Sequence, residues 1–422
     1  MMKHPITIMQ IGDGNFMRGF FDVAIEKLQA PFGIVSVAAT ARGKTVKLLE
    51  QQQLQFTVNE RGLKNGEIVE QEIAVQAIQD TINPYEDWQK FLQYAQLDTL
   101  EMIVSNTTEA GIYYEKIPYP TVCPTSYAAK LTVFLEHYYK HFHGNKQLAI
   151  VPLELIEQNG DTLKNICLQH ATDWALAVAF IEWLKTLAFC NTLVDRIVTG
   201  YPQDYRGDDA LYTVCEPYFL FVIDQQAPFK HWPASTDLPF VFADLEMYRK
   251  RKVAILNGSH IILAAFGKIY GYKTVREAFS KVGIRAFIEK VTNDFTQRYN
   301  VEEQYQHNVF ERFLNPFIEH QLYDIQLNEL SKWQTRIAPF ATTEIYYQAL
   351  ALGIYAMNPR RFSMRESEDI VEKLTNIHQH YEQGKIEPMQ QFIEQYFHCD
   401  AAAVIQQFST IDHLLEDITC NN

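Results

Sequence analysis

A six-residue apolar run, Ile6-Thr7-Ile8-Met9-Gln10-Ile11, is cut off by Gly12-Asp13-Gly14 and followed from Phe16 to Gln29 by apolar residues at helical spacing. Few folds accept that succession. A short run bounded by glycine reads as a strand, and the spacing after it reads as an amphipathic helix. Strand, glycine turn and helix open a dinucleotide-binding α/β domain, where glycines permit a tight turn and let backbone N–H groups approach a pyrophosphate at the helix N-terminus. The third glycine of that fingerprint is absent, with Met17 in its place, so the loop reads G-x-G-x-F-x-R through Asn15, Phe16 and Arg18. Arg18 would add a cation whose planar donors suit a diphosphate. On these residues alone, a plain strand-turn-helix without a ligand fits equally well.

Further apolar runs at Ile34–Ala39, Met102–Ser105 and Leu148–Pro152 read as strands, and Phe56–Ala77, punctuated by Arg61-Gly62 and Asn65-Gly66, reads as an inserted hairpin. Beyond residue 255 glycines thin out and the apolar spacing turns helical, as in Ile370–Tyr381 and Ala401–Ile418. The expected fold is therefore an α/β Rossmann-like N-terminal domain over residues 1–245, with insertions, followed by a mostly α-helical C-terminal domain over 246–422. A cleft between two such domains is where a cofactor and a small substrate would meet. The stretch after the second strand, Thr40-Ala41-Arg42-Gly43-Lys44, lacks the acid that accepts from the ribose of NAD. NAD is expected with NADP left open, and Arg42 and Lys44 fit solvated loop charges equally well.

Composition excludes several classes. With 47% hydrophobic and 21% charged residues the chain can bury a sizeable core, and its net charge of -14 disfavours the clustered cations that a nucleic-acid partner requires. The six cysteines form no CxxC pair and have no histidine at ligand spacing, so reduced thiols are expected, without a disulfide framework or a metal site. The N-terminal apolar stretch is too short for a secretion signal, and no apolar run approaches the roughly 18 residues needed to cross a bilayer. A cytoplasmic protein with no membrane partner is the expectation.

The segment richest in chemistry is Tyr248-Arg249-Lys250-Arg251-Lys252-Val253-Ala254-Ile255-Leu256-Asn257-Gly258-Ser259-His260. On a regular helix Lys252, His260 and Asn257 fall at roughly 0, 80 and 140 degrees, within one broad sector. A ketone reduced by hydride needs a proton and hydrogen-bond donors for its developing alkoxide, which a lysine and an amide supply without a metal. Lysine serves as a base near neutral pH only where its ammonium is destabilised, and Arg249, Lys250 and Arg251 crowd this one. Composition alone would make the charge run a solvated helix face and His260 a structural histidine.

The K-x4-N-G-x-H pattern of Lys252, Asn257, Gly258 and His260 resembles the signature of the mannitol dehydrogenase family, the polyol-specific long-chain dehydrogenases. The resemblance covers nearly the whole chain. Gly12 to Arg18 is similar to the family's cofactor loop, Ser105-Asn106-Thr107-Thr108-Glu109-Ala110-Gly111 to its T-x-T-E-x-G-like turn, Glu154 to Gly160 to a segment ending in Asn-Gly, and Val194-Asp195-Arg196-Ile197 to a V-D-R-I block. It implies a metal-free mechanism with Lys252 as general acid/base, Asn159 and Asn257 as the oxyanion-holding pair, and His260 orienting a substrate hydroxyl. It also implies that Gly12, Gly14, Asn15, Phe16, Arg18, Asn106, Thr107, Thr108, Glu109 and Asp195 serve the cofactor. Read without it, Asn159 is a turn residue before Gly160, and Asp195 with Arg196 is a buried ion pair.

Within the family, the segments at 106–112, 154–161 and 193–202, and the run Arg312 to Leu322 followed by Lys332 and Arg336, are more similar to the tagaturonate reductases than to the mannitol enzymes. That likeness implies NADH-dependent, reversible reduction of D-tagaturonate to D-altronate. A hexuronate carries a carboxylate that needs a cation if buried. Lys332 is the first candidate, with Arg336 and Arg312 behind it. Asp324 stands where mannitol-type members carry an arginine, which argues against a simple polyol. Fructuronate reductase and mannitol, polyol or polyol-phosphate dehydrogenase are the neighbouring alternatives. A non-catalytic dinucleotide-binding sensor is the alternative of another class, and it would predict a damaged catalytic set. One decoy, Tyr127-Ala128-Ala129-Lys130, is Y-x-x-K, a spacing that turns the pair apart on a helix.

Overall fold

The computed structural model describes residues 4–107, 111–224 and 240–420. Thr108 and Glu109, placed above in the cofactor turn, lie outside the described residues. The chain divides into two compact units, Met1–Arg61 with Ile68–Tyr248 and Gly62–Glu67 with Arg249–Asn422. The division falls just beyond the expected 245/246 boundary, and the hairpin tip joins the second unit.

In the first unit the strands are β1 (Ile6–Ile11), β2 (Gly33–Val37), β3 (Phe56–Lys64), β4 (Glu67–Val75), β5 (Ile78–Ile82), β6 (Met102–Ser105), β7 (Ala149–Pro152), β8 (Ala188–Phe189), β9 (Thr192–Asp195), β10 (Val198–Gly200), β11 (Thr213–Cys215), β12 (Leu220–Ile223) and β13 (Phe240–Phe242). Six of them form a sheet in the order β5-β2-β1-β6-β7-β8 with every neighbour parallel. Alternation along β1 explains why apolar residues point to both of its faces. Ile8 packs on one face with Ile34, Val104 and Val151, beneath Met17, Phe20 and Phe21 of the first helical segment. Met9 and Ile11 pack on the other with Val35, Ile103 and Ile150, against Leu131, Phe134 and Leu163. Both faces are covered, as a parallel sheet requires. Burying each such side chain is worth roughly 1.5–3 kcal/mol.

The first helical segment is not regular. Asn15–Met17 and Val23–Lys27 are α-helical, whereas Arg18–Asp22 is a π turn. Asp22 is buried in the apolar layer, where its carboxylate accepts from Gln10 Nε2 at 3.4 Å. Burial raises its pKa from 3.8 to about 7. The folded state therefore favours the protonated acid, and the stability this gives is full below pH 3.8 and lost as the pH rises towards 7. Asp22→Asn should raise thermal stability at about pH 8, by up to about 4 kcal/mol, with the gain fading towards acid pH. A melting temperature unchanged at both pH values would count against a neutral carboxyl there.

Among the described residues of the second unit, every regular element apart from the hairpin tip is a helix. Leu245–Arg251, Lys252–Asn257 and Gly258–Tyr270 form one continuous run, the middle part again a π turn. By length and composition these 26 residues could cross a membrane, contrary to the expectation that no run approaches that length, yet 67% of their most apolar window is buried inside the protein. Core packing accounts for that apolarity. A buried ion pair between Lys268 and Glu329 ties the Gly258–Tyr270 helix to the Glu329–Arg336 helix. The expected helix over Ala401–Ile418 is two, Ala401–Ser409 and Ile411–Cys420, broken at Thr410.

Candidate active site

Strand order reverses at β1, whose neighbours β2 and β6 lead away to opposite sides, and ligands of open parallel sheets bind at the carboxyl ends of strands where this happens. Both sequence-derived cofactor segments sit there. Gly12 follows β1 with φ at +111°, and a Cβ on it would stand 2.6 Å from the carbonyl oxygen of Asn106, the residue that follows β6. Only glycine allows this crossing. Gly14 is different, because a Cβ there would meet nothing within 4 Å. Its backbone is exposed over open space that a diphosphate would suit, with Asn15 exposed beside it and Phe16 stacked on Phe20. Thr107 is clamped by Glu154, whose Oε1 accepts from its backbone N–H at 2.8 Å and its hydroxyl at 2.9 Å.

Three of the sequence expectations change here. Arg18 is buried, donating to the Asp13 carbonyl at 2.7 Å, to the Asn15 side chain and to Thr213 Oγ1 at 3.1 Å. A guanidinium so engaged braces the loop from within, using three of its five N–H groups. Asn159 is 1% exposed, and its amide nitrogen donates to Pro152 O, Glu154 O and Thr192 Oγ1 at 2.9–3.0 Å. Its oxygen accepts from the backbone of Gly160 and Thr192. An amide has two N–H groups, so nothing is left for an oxyanion, and Asn159 is a lock between β7 and β9. Arg196, read with Asp195 as an ion pair, instead pairs with Glu60, which also holds Lys27 at 2.7 Å. Asp195 closes β9 opposite Leu220. Arg42 and Lys44 are exposed, which keeps both readings of that loop. Tyr127 and Lys130 diverge as expected, Lys130 Nζ lying 3.3 Å from the Tyr85 hydroxyl.

In the second unit the π turn corrects the angular reading of the lysine segment. A π-helix closes its hydrogen bonds over five residues, so Lys252 and Asn257 stand one turn apart on one face, where a regular helix would set them about 140 degrees apart. His260 follows three residues after Asn257 on the Gly258–Tyr270 helix, again on that face. The flanking cations are drawn elsewhere. Lys250 lies over the Tyr299 ring at 3.8 Å, and Arg251 lies over Tyr305 at 4.3 Å with Glu302 3.8 Å away.

Around His260 the structure gathers a basic cluster. Its ring centroid is 4.8 Å from that of His320, edge on, and 4.9 Å from Phe313. Burial, then His320, Arg312 and Arg336, hold the His260 pKa well below its ordinary value, so the imidazole is neutral. Lys332 Nζ donates to the Ile325 carbonyl at 2.7 Å. Arg312 is 9% exposed. Among the described residues, the side chains of Asn257, His260, His320 and Arg336 have no hydrogen-bond or ion-pair partner. Half-buried polar groups left this way are available to a ligand. Lys332, ranked first from the sequence, thus yields to Arg336, whose guanidinium faces burial with no carboxylate to offset it. His320 has no role in the sequence reading, because the run from Arg312 to Leu322 that contains it marks a likeness without assigning each residue a task. Among the described residues, no three His, Cys, Asp or Glu side chains are grouped to hold a metal.

Residues 6–234 match the mannitol dehydrogenase Rossmann domain, and residues 244–398 match the mannitol dehydrogenase C-terminal domain. The chain belongs to the mannitol dehydrogenase family. Among its relatives are altronate oxidoreductases of Klebsiella pneumoniae, 38% identical over 80% of this chain and 75% of that one, and of Halalkalibacterium halodurans, 36% identical over 79% and 70%. As a family member with such relatives it is an oxidoreductase acting on CH–OH groups. The fold is shared with a Pseudomonas fluorescens mannitol 2-dehydrogenase solved as a ternary complex with NAD and D-mannitol, at TM-score 0.66 and 18% identity over 99% of this chain and 95% of that one. A substrate-free D-sorbitol dehydrogenase is similar at TM-score 0.78 and 16% identity, over 98% and 94%. The family's Rossmann domain thus coincides with the parallel sheet and its glycine turn, and the C-terminal domain with the helices that carry Lys252 to Arg336.

Proposed function

We propose that this protein is a hexuronate reductase of the altronate oxidoreductase type, interconverting D-tagaturonate and D-altronate with NAD(H). Arg336 carries the reading. A desolvated guanidinium without a carboxylate of its own, set within electrostatic reach of His260, matches a substrate that brings the negative charge. Neutral polyols have none to bring. The names of the relatives point the same way.

When bound, a nicotinamide dinucleotide would supply or accept the hydride. Lys252 gives its proton to the substrate oxygen as the carbonyl becomes an alcohol, and takes one back in the other direction. Asn257, on the same face, donates to that oxygen. His260, neutral, both gives and accepts a hydrogen bond at a hydroxyl, and Arg336 takes the carboxylate, with Arg312 and Lys332 adding positive potential. No step needs a metal. Gly12, Gly14, Asn15, Phe16, Asn106 and Thr107, together with Thr108, Glu109 and Asp195, hold the dinucleotide, with Arg18 keeping the loop in shape. A cytoplasmic location and a small sugar acid as substrate, with no nucleic-acid or membrane partner, belong to the same reading.

Steady-state rates with D-tagaturonate, D-fructuronate, D-fructose and D-fructose 6-phosphate, each with NADH and NADPH, test it. Tagaturonate with NADH should give the highest kcat/KM. Fructose turned over more efficiently than either uronate would overturn the substrate assignment, and a preference for NADPH would transfer the 2′-phosphate to Arg42 and Lys44.

A further inference from the structure

D-Tagaturonate and D-fructuronate share a carboxylate and a ketone and differ in the configuration of one secondary hydroxyl. Neither Arg336 nor Lys252 can tell them apart. Discrimination between epimers needs a group fixed where that hydroxyl lies, able to bond it in one configuration and left unpaired in the other.

We propose that His320 is this specificity-determining residue, its imidazole hydrogen-bonding the epimeric hydroxyl beside the one taken by His260. The inference rests on the hexuronate reading above. Three observations support it. The two rings meet edge on at 4.8 Å, so groups bonded to them lie a few ångströms apart, the scale of neighbouring carbons on a sugar chain. Neither imidazole has a hydrogen-bond partner among the described residues. The mount of His320 is rigid, because Val275 N–H donates to its carbonyl at 2.9 Å, Leu322 N–H donates to Lys273 O at 2.9 Å, and Thr274 bridges Gln321.

Its chemistry suits a hydroxyl. Burial lowers the His320 pKa, Arg312 lowers it further and Asp324 opposes them, leaving a neutral ring with one N–H and one lone pair. A hydroxyl gives one proton and accepts another, so it can satisfy either nitrogen of such a ring. The carboxylate is better served by Arg336, whose fork is permanently charged.

The test is His320→Phe in the full-length enzyme, which keeps a ring against His260 and removes both nitrogens, with His320→Ala made alongside. Values of kcat and KM are measured for both uronates with the preferred cofactor, and thermal melts and dinucleotide binding establish that each variant is folded. The tagaturonate-to-fructuronate ratio of kcat/KM should fall on the order of tenfold or more in both variants, chiefly through KM for the better epimer. His320→Gln, which restores a donor and an acceptor, should recover part of it. A ratio within about twofold of wild type in either folded variant overturns the proposal. If wild type reduces neither uronate, the hexuronate reading fails separately. The same variants with D-tagatose and D-fructose, epimers at the same carbon, then decide whether His320 reads that hydroxyl.

Discussion

Replacing Lys252 with alanine is expected to lower kcat by a factor on the order of 100 or more while dinucleotide binding stays nearly intact, as loss of general acid/base help predicts. The expectation comes from the helix. Lys252 opens the π turn and Asn257 ends it, so one turn brings an amine and an amide to the same face with His260 beyond them. That is what a carbonyl oxygen acquiring charge needs, a proton source and a fixed donor converging on one atom. Lys252→Arg should be nearly as damaged, because a guanidinium keeps the charge but does not release its proton. Turnover within about threefold of wild type in the alanine variant would remove Lys252 from the chemistry. Binding is read by titrating NADH fluorescence, since the glycine turn belongs to the first unit and carries none of these residues.

Much of the fold could be read from spacing. β6 runs from Met102 to Ser105 as expected, and β1, β2 and β7 carry apolar residues on both faces because both faces of the sheet are covered. What spacing hid was local. Both π turns lie inside stretches that read as ordinary helix, and one extra residue in a turn rotates everything after it by about 100 degrees. Side-chain partners hid as well. Nothing near Asn159 in the chain announces that Thr192 would accept from its amide, nor that Glu60, far from Arg196 in sequence, would be its counter-ion.

The same gap explains why Lys332 and Arg336 exchange rank. Both lie on the Glu329–Arg336 helix, one turn apart, and a sequence cannot say which cation is already engaged. Lys332 donates to a main-chain carbonyl, whereas Arg336 is desolvated without a partner among the described residues.

Arg336→Ala should therefore cut kcat/KM for D-tagaturonate about 100-fold or more, the scale measured when one side of a desolvated, hydrogen-bonded charge pair is removed. Activity on D-fructose, which has no carboxylate, should change far less, so the ratio of the two substrates carries the test. Arg336→Lys should restore part of the loss, since a point charge keeps the attraction but not the paired donors. Stability separates this role from a structural one. Removing one member of a buried ion pair destabilises a protein strongly, but removing a desolvated cation that pairs with nothing among the described residues relieves a cost. The alanine variant should melt at or above the wild-type temperature in the absence of substrate. If it melts well below, or if uronate and fructose rates fall in the same proportion, Arg336 is part of the scaffold and the carboxylate must be held by Arg312 or Lys332.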